Sequence, residues 1–156
     1  MPGGRGRSEL VEQIMVGMRK HVAAQVLFNH QVAAQLGLSA REMQFLNLLD
    51  VYGPLTAGQL SELTGLSTGS VTGVLDRVEE AGYARRTRDP ADRRKVVVML
   101  DGDRIEREVV PRFAPMAEQL SAAIADRDVA DLHVIADFLH RLIVGGGPRA
   151  PGRTSP

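Results

Sequence analysis

Apolar residues recur every three to five positions along residues 8–36. Leu10, Ile14, Met18, Val22 and Leu27 form the stripe, and Val11, Met15 and Val26 widen it. This spacing holds one face of an α-helix apolar and predicts a single long helix. Ser8 is its expected N-cap, and Gly37 is expected just past its end. Ser39-Ala-Arg-Glu42 has the spacing of a capping box. It opens a second helix whose Met43, Phe45, Leu46, Leu48 and Leu49 point to a core, closed by Gly53-Pro54. Thr56-Ala-Gly-Gln59 repeats the cap pattern ahead of a short third helix through Leu60 and Leu63, stopped by Gly65. Ser67 caps a fourth helix with Val71, Val74, Leu75 and Val78 on one side, ended by Gly82. Residues 56–82 therefore read as helix, short Gly-containing turn, helix: a helix-turn-helix.

The period changes after residue 82. Arg94-Lys95-Val96-Val97-Val98-Met99-Leu100 is rich in β-branched residues and predicts a strand. Asp89-Pro90-Ala91-Asp92 fits a type I turn, with Asp first and Pro second. Residues 83–100 thus predict a β-hairpin. Helical spacing returns after Asp101 in Ile105, Val109, Phe113, Met116, Leu120 and Ile124. Pro111 and Pro115 fall within it, and a proline in a regular helix interior costs roughly 3 kcal/mol, so a kink or break is expected near 109–111. A last helix is expected over 128–144, with Leu132, Ile135, Ala136, Leu139 and Ile143 on its apolar face. The termini, 1–7 and 145–156, are Gly/Arg- and Gly/Pro-rich with little to bury, and are expected to be disordered tails. The fold class is mainly α with a small β-hairpin wing. A winged helix-turn-helix over 37–100 lies between helical regions at 8–36 and 101–144.

Composition narrows the classes. The 156 residues are 44% hydrophobic but only 4% aromatic, with no Trp, which favours packed helices built from Leu, Val, Ala, Ile and Met. There is no Cys, hence no disulfide framework or thiolate metal site. No apolar run approaches the roughly 18 residues that span a bilayer, and the N-terminus lacks the apolar region of a signal peptide. A cytoplasmic protein with no membrane association is expected. Catalysis finds no support: no Gly-rich phosphate loop is followed by a Lys, and no Ser/His/Asp pattern sits in a strand-turn-helix context. No cofactor is implied. His21, His30, His133 and His140 supply no compact ligand set for a metal. Met15, Met18, Met43 and Met116 read as packing residues.

The formal net charge is zero, yet residues 83–95 gather Arg85, Arg86, Arg88, Arg93, Arg94 and Lys95 against Asp89 and Asp92, a local net of +4. Local charge is what meets phosphates, so a neutral total is compatible with DNA binding through one patch. A helix fits the major groove, and a thin hairpin reaches the adjacent minor groove, where a guanidinium senses width and potential. The candidate recognition helix offers Ser67, Thr68, Ser70 and Thr72 in its first turns. Gly69 and Gly73 allow close backbone approach there, and Arg77 is placed for a phosphate. On the hairpin, Arg85, Arg86 and Arg88 are expected at phosphates, with Arg93 beside them. Arg94 is expected at the tip as the minor-groove probe, with its guanidinium oriented by Asp92.

LTAGQLSELTGLSTGSVTGVLDRVEEAGYARRTRDPADRRKVVVML, residues 55–100, resembles the MarR family of winged-helix transcriptional regulators. The helix-turn-helix, the GY-x-RR after it, DPADRR and the hydrophobic strand carry the resemblance, with one long helix before and two after. Residues 100–104, LDGDR, depart from the family's usual joint between wing and helix, as do the two prolines from its continuous fifth helix. The resemblance implies a homodimer formed by the terminal helices and a repressor that binds a pseudopalindromic double-stranded operator. Ser67, Ser70, Thr72 and Arg77 fall at recognition-helix positions, and Arg86, Asp92 and Arg94 at wing positions. It further implies release by a small-molecule effector, in a cleft lined here by Val22, Val26, His30, Met43 and Leu46. Two other readings stay open on the residues: an architectural DNA binder without an effector, and a winged-helix module that binds a protein.

Overall fold

The computed structural model describes residues 6–146, and the expected tails at 1–5 and 147–156 lie outside them. The chain divides into two compact units, Met1–Met43 and Gln44–Pro156.

The first unit holds α1 (Arg7–Gln35) and the opening turn of α2 (Ala40–Tyr52). α1 begins one residue earlier than expected. Its N-cap is Gly6, with no side-chain cap, so the Ser8 hydroxyl does not perform that role. Arg7, assigned to the tail, is helical. The box at the head of α2 is formed as expected. The Ser39 amide donates to Glu42 Oε2 at 2.8 Å and the Glu42 amide to Ser39 Oγ at 3.2 Å. Glu42 is thereby satisfied in spite of its burial. Val32, Ala33 and Met43 are buried, whereas Leu10, Val11, Ile14, Met15, Val22, Val26 and Leu27 are exposed. The stripe read from the sequence is therefore apolar surface over most of the helix.

The second unit carries the remainder of α2, then α3 (Ala57–Thr64) and α4 (Thr68–Glu80), β1 (Ala84–Arg88) and β2 (Val96–Leu100). α5 (Gly102–Arg104), a π turn (Ile105–Val109), α6 (Val110–Ile124) and α7 (Val129–Gly146) follow. α3 packs on α4, and α4 on β1. Their shared core contains Phe45, Leu49, Leu60, Val71, Val74, Leu75, Val78, Tyr83, Val97 and Val98. The strands pair antiparallel with Ala84 opposite Leu100 and Arg88 opposite Val96. Leu55 adds a single rung, its amide donating to the Val98 carbonyl at 3.1 Å and its carbonyl accepting from the Val98 amide at 2.8 Å. This ties the chain entering α3 to the hairpin.

The local chemistry of the helix-turn-helix follows its caps. Thr56 Oγ1 accepts from the Gln59 amide at 3.2 Å, and Gln59 Oε1 from the Thr56 amide at 2.8 Å. Gly65 stops α3 at φ +68°, a left-handed backbone that any Cβ would strain. Thr56→Ala removes the hydroxyl that accepts from the Gln59 amide, keeps the backbone amide that donates to Gln59 Oε1, and is expected to lower unfolding free energy by about 1 kcal/mol, read as a reduced urea midpoint with an unchanged slope.

Both departures after the wing have structural answers. Asp101 caps the new helix, Oδ1 accepting from the Arg104 amide at 3.0 Å, while its own amide donates to the Tyr83 carbonyl at 2.9 Å. The expected break at 109–111 is instead a π turn that begins at Ile105 and leaves the helical path continuous from Gly102 to Ile124. The wider turn lets the Val110 amide reach the Ile105 carbonyl and starts a fresh α segment, so that Pro111 falls at its first residues. Proline is tolerated in the opening residues of an α segment, where its fixed φ suits the helix. Pro115 lies one turn further inside α6 and forfeits the bond its N–H would make to the Pro111 carbonyl. α7 starts where expected, with Asp128 Oδ1 accepting from the Asp131 amide at 2.8 Å, and runs to Gly146, past the expected end at 144.

Candidate nucleic-acid interface

The interface is built from α4 and the hairpin it carries. α4 buries Val71, Val74, Leu75 and Val78 and leaves Thr68, Ser70, Thr72, Asp76 and Arg77 exposed on the opposite side. Ser67 Oγ accepts from the Ser70 amide at 3.3 Å and lies 3.0 Å from Ser70 Oγ. Two of the four candidate hydroxyls thus form the helix cap, and Thr68 and Thr72 stand exposed beside them. Exposed helical glycines cost up to about 1 kcal/mol each relative to Ala. No atom lies within 4 Å of a Cβ built on Gly69, and at Gly73 only Arg77 Nη1 does, at 3.9 Å. Internal packing therefore requires neither glycine. Gly73→Ala is expected to raise unfolding free energy by about 0.5–1 kcal/mol and yet weaken duplex binding, measured by chemical denaturation and anisotropy titration of the same protein.

The arginines divide by their partners. Arg86, expected at a phosphate, is exposed but ion-paired to α4. Its Nη2 donates to Asp76 Oδ1 at 2.6 Å, its Nη1 to Glu79 Oε2, and its backbone amide to Glu79 Oε1 at 2.9 Å. The Asp76 hydrogen bond is the largest influence and outweighs the burial penalty that opposes it; with the Glu79 hydrogen bond and the two carboxylate charges added, the guanidinium holds its charge more firmly than a free one. An exposed pair of this kind contributes at most about 1 kcal/mol. Its consequence is geometric: the ascending strand is locked to α4. Arg88 Nη1 donates to the Arg93 carbonyl at 3.2 Å and so spans the loop.

The wing tip also differs from the sequence expectation. Asp89 Oδ1 accepts from the Ala91 amide at 2.8 Å, an Asx turn in place of the expected type I turn over 89–92. The hydrogen-bonded turn lies three residues later, where the Lys95 amide donates to the Asp92 carbonyl at 2.9 Å. Arg93 and Arg94 are its two central residues. Asp92 does not grip the Arg94 guanidinium. Its Oδ1 accepts from the Arg94 backbone amide at 3.1 Å, and its Oδ2 lies 3.7 Å from Lys95 Nζ. Asp92 thus shapes the turn and not the rotamer. Both tip arginines are exposed, and among the described residues neither side chain makes a hydrogen bond or ion pair.

The second unit also contains a cavity of about 440 Å³ beside α2, the π turn and α6. Of the five residues expected in an effector cleft, Leu46 lines it. Met43 is fully buried and belongs to the core, and Val22, Val26 and His30 are exposed on α1. The walls missed by the sequence reading include Asp50, Leu100, Ile105, Val109, Val110 and Phe113. For Ile105, Val109 and Phe113 the signal is the apolar stripe after Asp101, whose spacing shows a helix but not what that face meets.

Comparison with known proteins agrees with this architecture. A sequence profile of the MarR family matches residues 36–95. The HTH-type transcriptional regulator YcgE of Bacillus subtilis is 40% identical over 135 residues, covering 85% of this chain and 86% of its own. Among solved structures, a MarR family protein from Bacillus stearothermophilus superposes with a TM-score of 0.62 at 20% identity, covering 90% of this chain and 98% of its own. The transcriptional regulator Tm0710 of Thermotoga maritima gives 0.55 at 26% identity, covering 85% and 94%. With its helix-turn-helix, its basic wing and this relationship over most of its length, the chain belongs to the MarR family of DNA-binding transcriptional regulators, which are not enzymes.

Proposed function

We propose that the protein is a homodimeric, sequence-specific repressor acting in the cytoplasm on a pseudopalindromic operator and released by a small molecule. The observation that carries the DNA side is the Asp92–Lys95 turn, which presents Arg93 and Arg94 clear of other protein groups on a hairpin locked to α4. In this reading α4 enters the major groove. Thr68 and Thr72 face base edges, and Ser67 and Ser70 offer the capped helix end to a phosphate. Arg77, Arg85 and Arg88 neutralise phosphates. Arg93 follows the backbone, Arg94 enters the minor groove, and Arg86 and Asp92 hold the wing in position.

Dimerisation is supported by the exposed apolar faces of α1 and α7. On α7, Ile135, Phe138, Leu139, Leu142 and Ile143 are all at least 37% exposed, a contiguous stripe of the kind that marks an interface. Residues 8–36 and 101–144 then form the dimer and 37–100 the DNA-binding lobe. The cavity is the effector site, within the usual size range for small ligands.

Selecting bound sites from random duplex tests this. A recovered inverted repeat should bind at least a thousandfold more tightly than scrambled duplex at one salt concentration. Equal affinities would favour an architectural binder. No binding to any duplex at low salt would favour a protein-interaction module.

A further inference from the structure

We propose that the cavity takes an apolar molecule carrying a cationic group, seated against Asp50, and that the π turn passes its presence to the wing. The assignment rests on the reading of the protein as an effector-released regulator. Leu46, Leu100, Ile105, Val109, Val110 and Phe113 give the cavity hydrocarbon walls, and Asp50 is the charged residue that lines it. No Lys, Arg or His is among its lining residues. Asp50 lies in the last turn of α2, where the helix dipole adds further negative potential. A carboxylate ligand would set two anions together beside apolar walls without a counter-charge, which disfavours the charged form. An ammonium on an aromatic or aliphatic body meets both the walls and the carboxylate.

The π turn has two working faces. Ile105 and Val109 line the cavity. Glu108 and the adjoining Arg104 hold the base of the wing. Glu108 Oε2 accepts from the Tyr83 hydroxyl at 2.7 Å, and Arg104 Nε lies 3.3 Å from Glu108 Oε1. The Arg104 guanidinium carbon stands 4.6 Å from the centroid of the Tyr83 ring. Its Nη1 is so close to the backbone that a Cβ on Gly82 would lie 2.9 Å from it. Tyr83 is 2% exposed and leads directly into β1. The Tyr83 hydrogen bond holds the Glu108 carboxyl below its usual range, so the contact is between a hydroxyl and a carboxylate. π turns are rare and concentrate at functional sites. A body pressing on Ile105 and Val109 displaces Glu108 in the same five-residue turn, and with it the support of Tyr83.

Two probes of the same shape and opposite charge test this on the full chain: 1-naphthylmethylamine and 1-naphthoate, titrated by calorimetry. The amine is expected to bind at least tenfold more tightly. Asp50→Asn should bring the two within about threefold, and Asp50→Lys should invert the order. Equal or tighter binding of the carboxylate to the unaltered chain overturns the ligand class. So does a preference that survives Asp50→Asn, or no binding of either probe at millimolar concentration. For the relay, saturating amine should weaken duplex binding by the unaltered chain severalfold. Tyr83→Phe should bind the amine as before and show no such response. A full response in Tyr83→Phe, or none in the unaltered chain, overturns the relay. Duplex affinity without a probe reports the regulator reading alone, so failure to bind DNA is distinguished from failure to bind the amine.

Discussion

Arg94→Ala is expected to weaken binding to the selected duplex by about 1–3 kcal/mol, between roughly fivefold and more than a hundredfold. The dependence of log affinity on log salt should become shallower by about one charge. The size of the effect follows from the turn. The Lys95 amide and the Asp92 carbonyl close it, Asp92 Oδ1 fixes the Arg94 amide, and the guanidinium at its apex makes no internal contact among the described residues. Nothing internal must be broken before it meets DNA, so the whole contact appears as affinity. Asp92→Ala should cost less, because the backbone bond from Lys95 remains. Arg86→Ala should cost less still, since it removes a strut whose exposed ion pairs are individually weak. Anisotropy titrations of the three variants across a salt series give the ranking directly.

Leu139→Asp is expected to convert the proposed dimer to a monomer and reduce affinity for the full inverted repeat to that of a half-site, a loss of at least a hundredfold. Leu139 is 47% exposed, beside Ile135, Phe138 and Leu142, which are also exposed. A carboxylate there disturbs nothing inside one chain but would lie desolvated and unpaired in an apolar interface, a penalty of several kcal/mol. Helical content by circular dichroism should therefore hold while the mass from light scattering halves. A monomeric mass for the unaltered chain would contradict the assignment of α1 and α7 to dimerisation.

What the sequence disclosed was mainly local. Ser39 with Glu42 and Thr56 with Gln59 pair within one turn, and Val71, Val74, Leu75 and Val78 face inward because the helix period places them together. What it concealed depended on competition or distance. Pro90 drew the expected turn to 89–92. Asp89 instead binds the Ala91 amide and Asp92 the Arg94 amide, which moves the closed turn to 92–95. Arg86 finds Glu79 and Asp76, seven and ten residues back, only because β1 runs beside α4. The prolines announced an irregular helix, but not that a π turn before Pro111 would absorb it. The cavity lay hidden for the same reason: Ile105, Val109 and Phe113 have the spacing of ordinary core residues, and nothing local shows that they face a void.

The placement of Arg94 in the minor groove is tested most directly by changing the groove and the arginine together. Adenines under the wing in the selected duplex are replaced by 2,6-diaminopurine, which adds an amino group to the minor-groove floor and leaves the adenine groups of the major groove in place. Affinities are measured for the unaltered protein and for Arg94→Ala. The unaltered protein should lose most of the affinity that Arg94 contributes, while Arg94→Ala is indifferent to the change. Equal losses in both proteins, or none in either, would contradict a guanidinium in the minor groove.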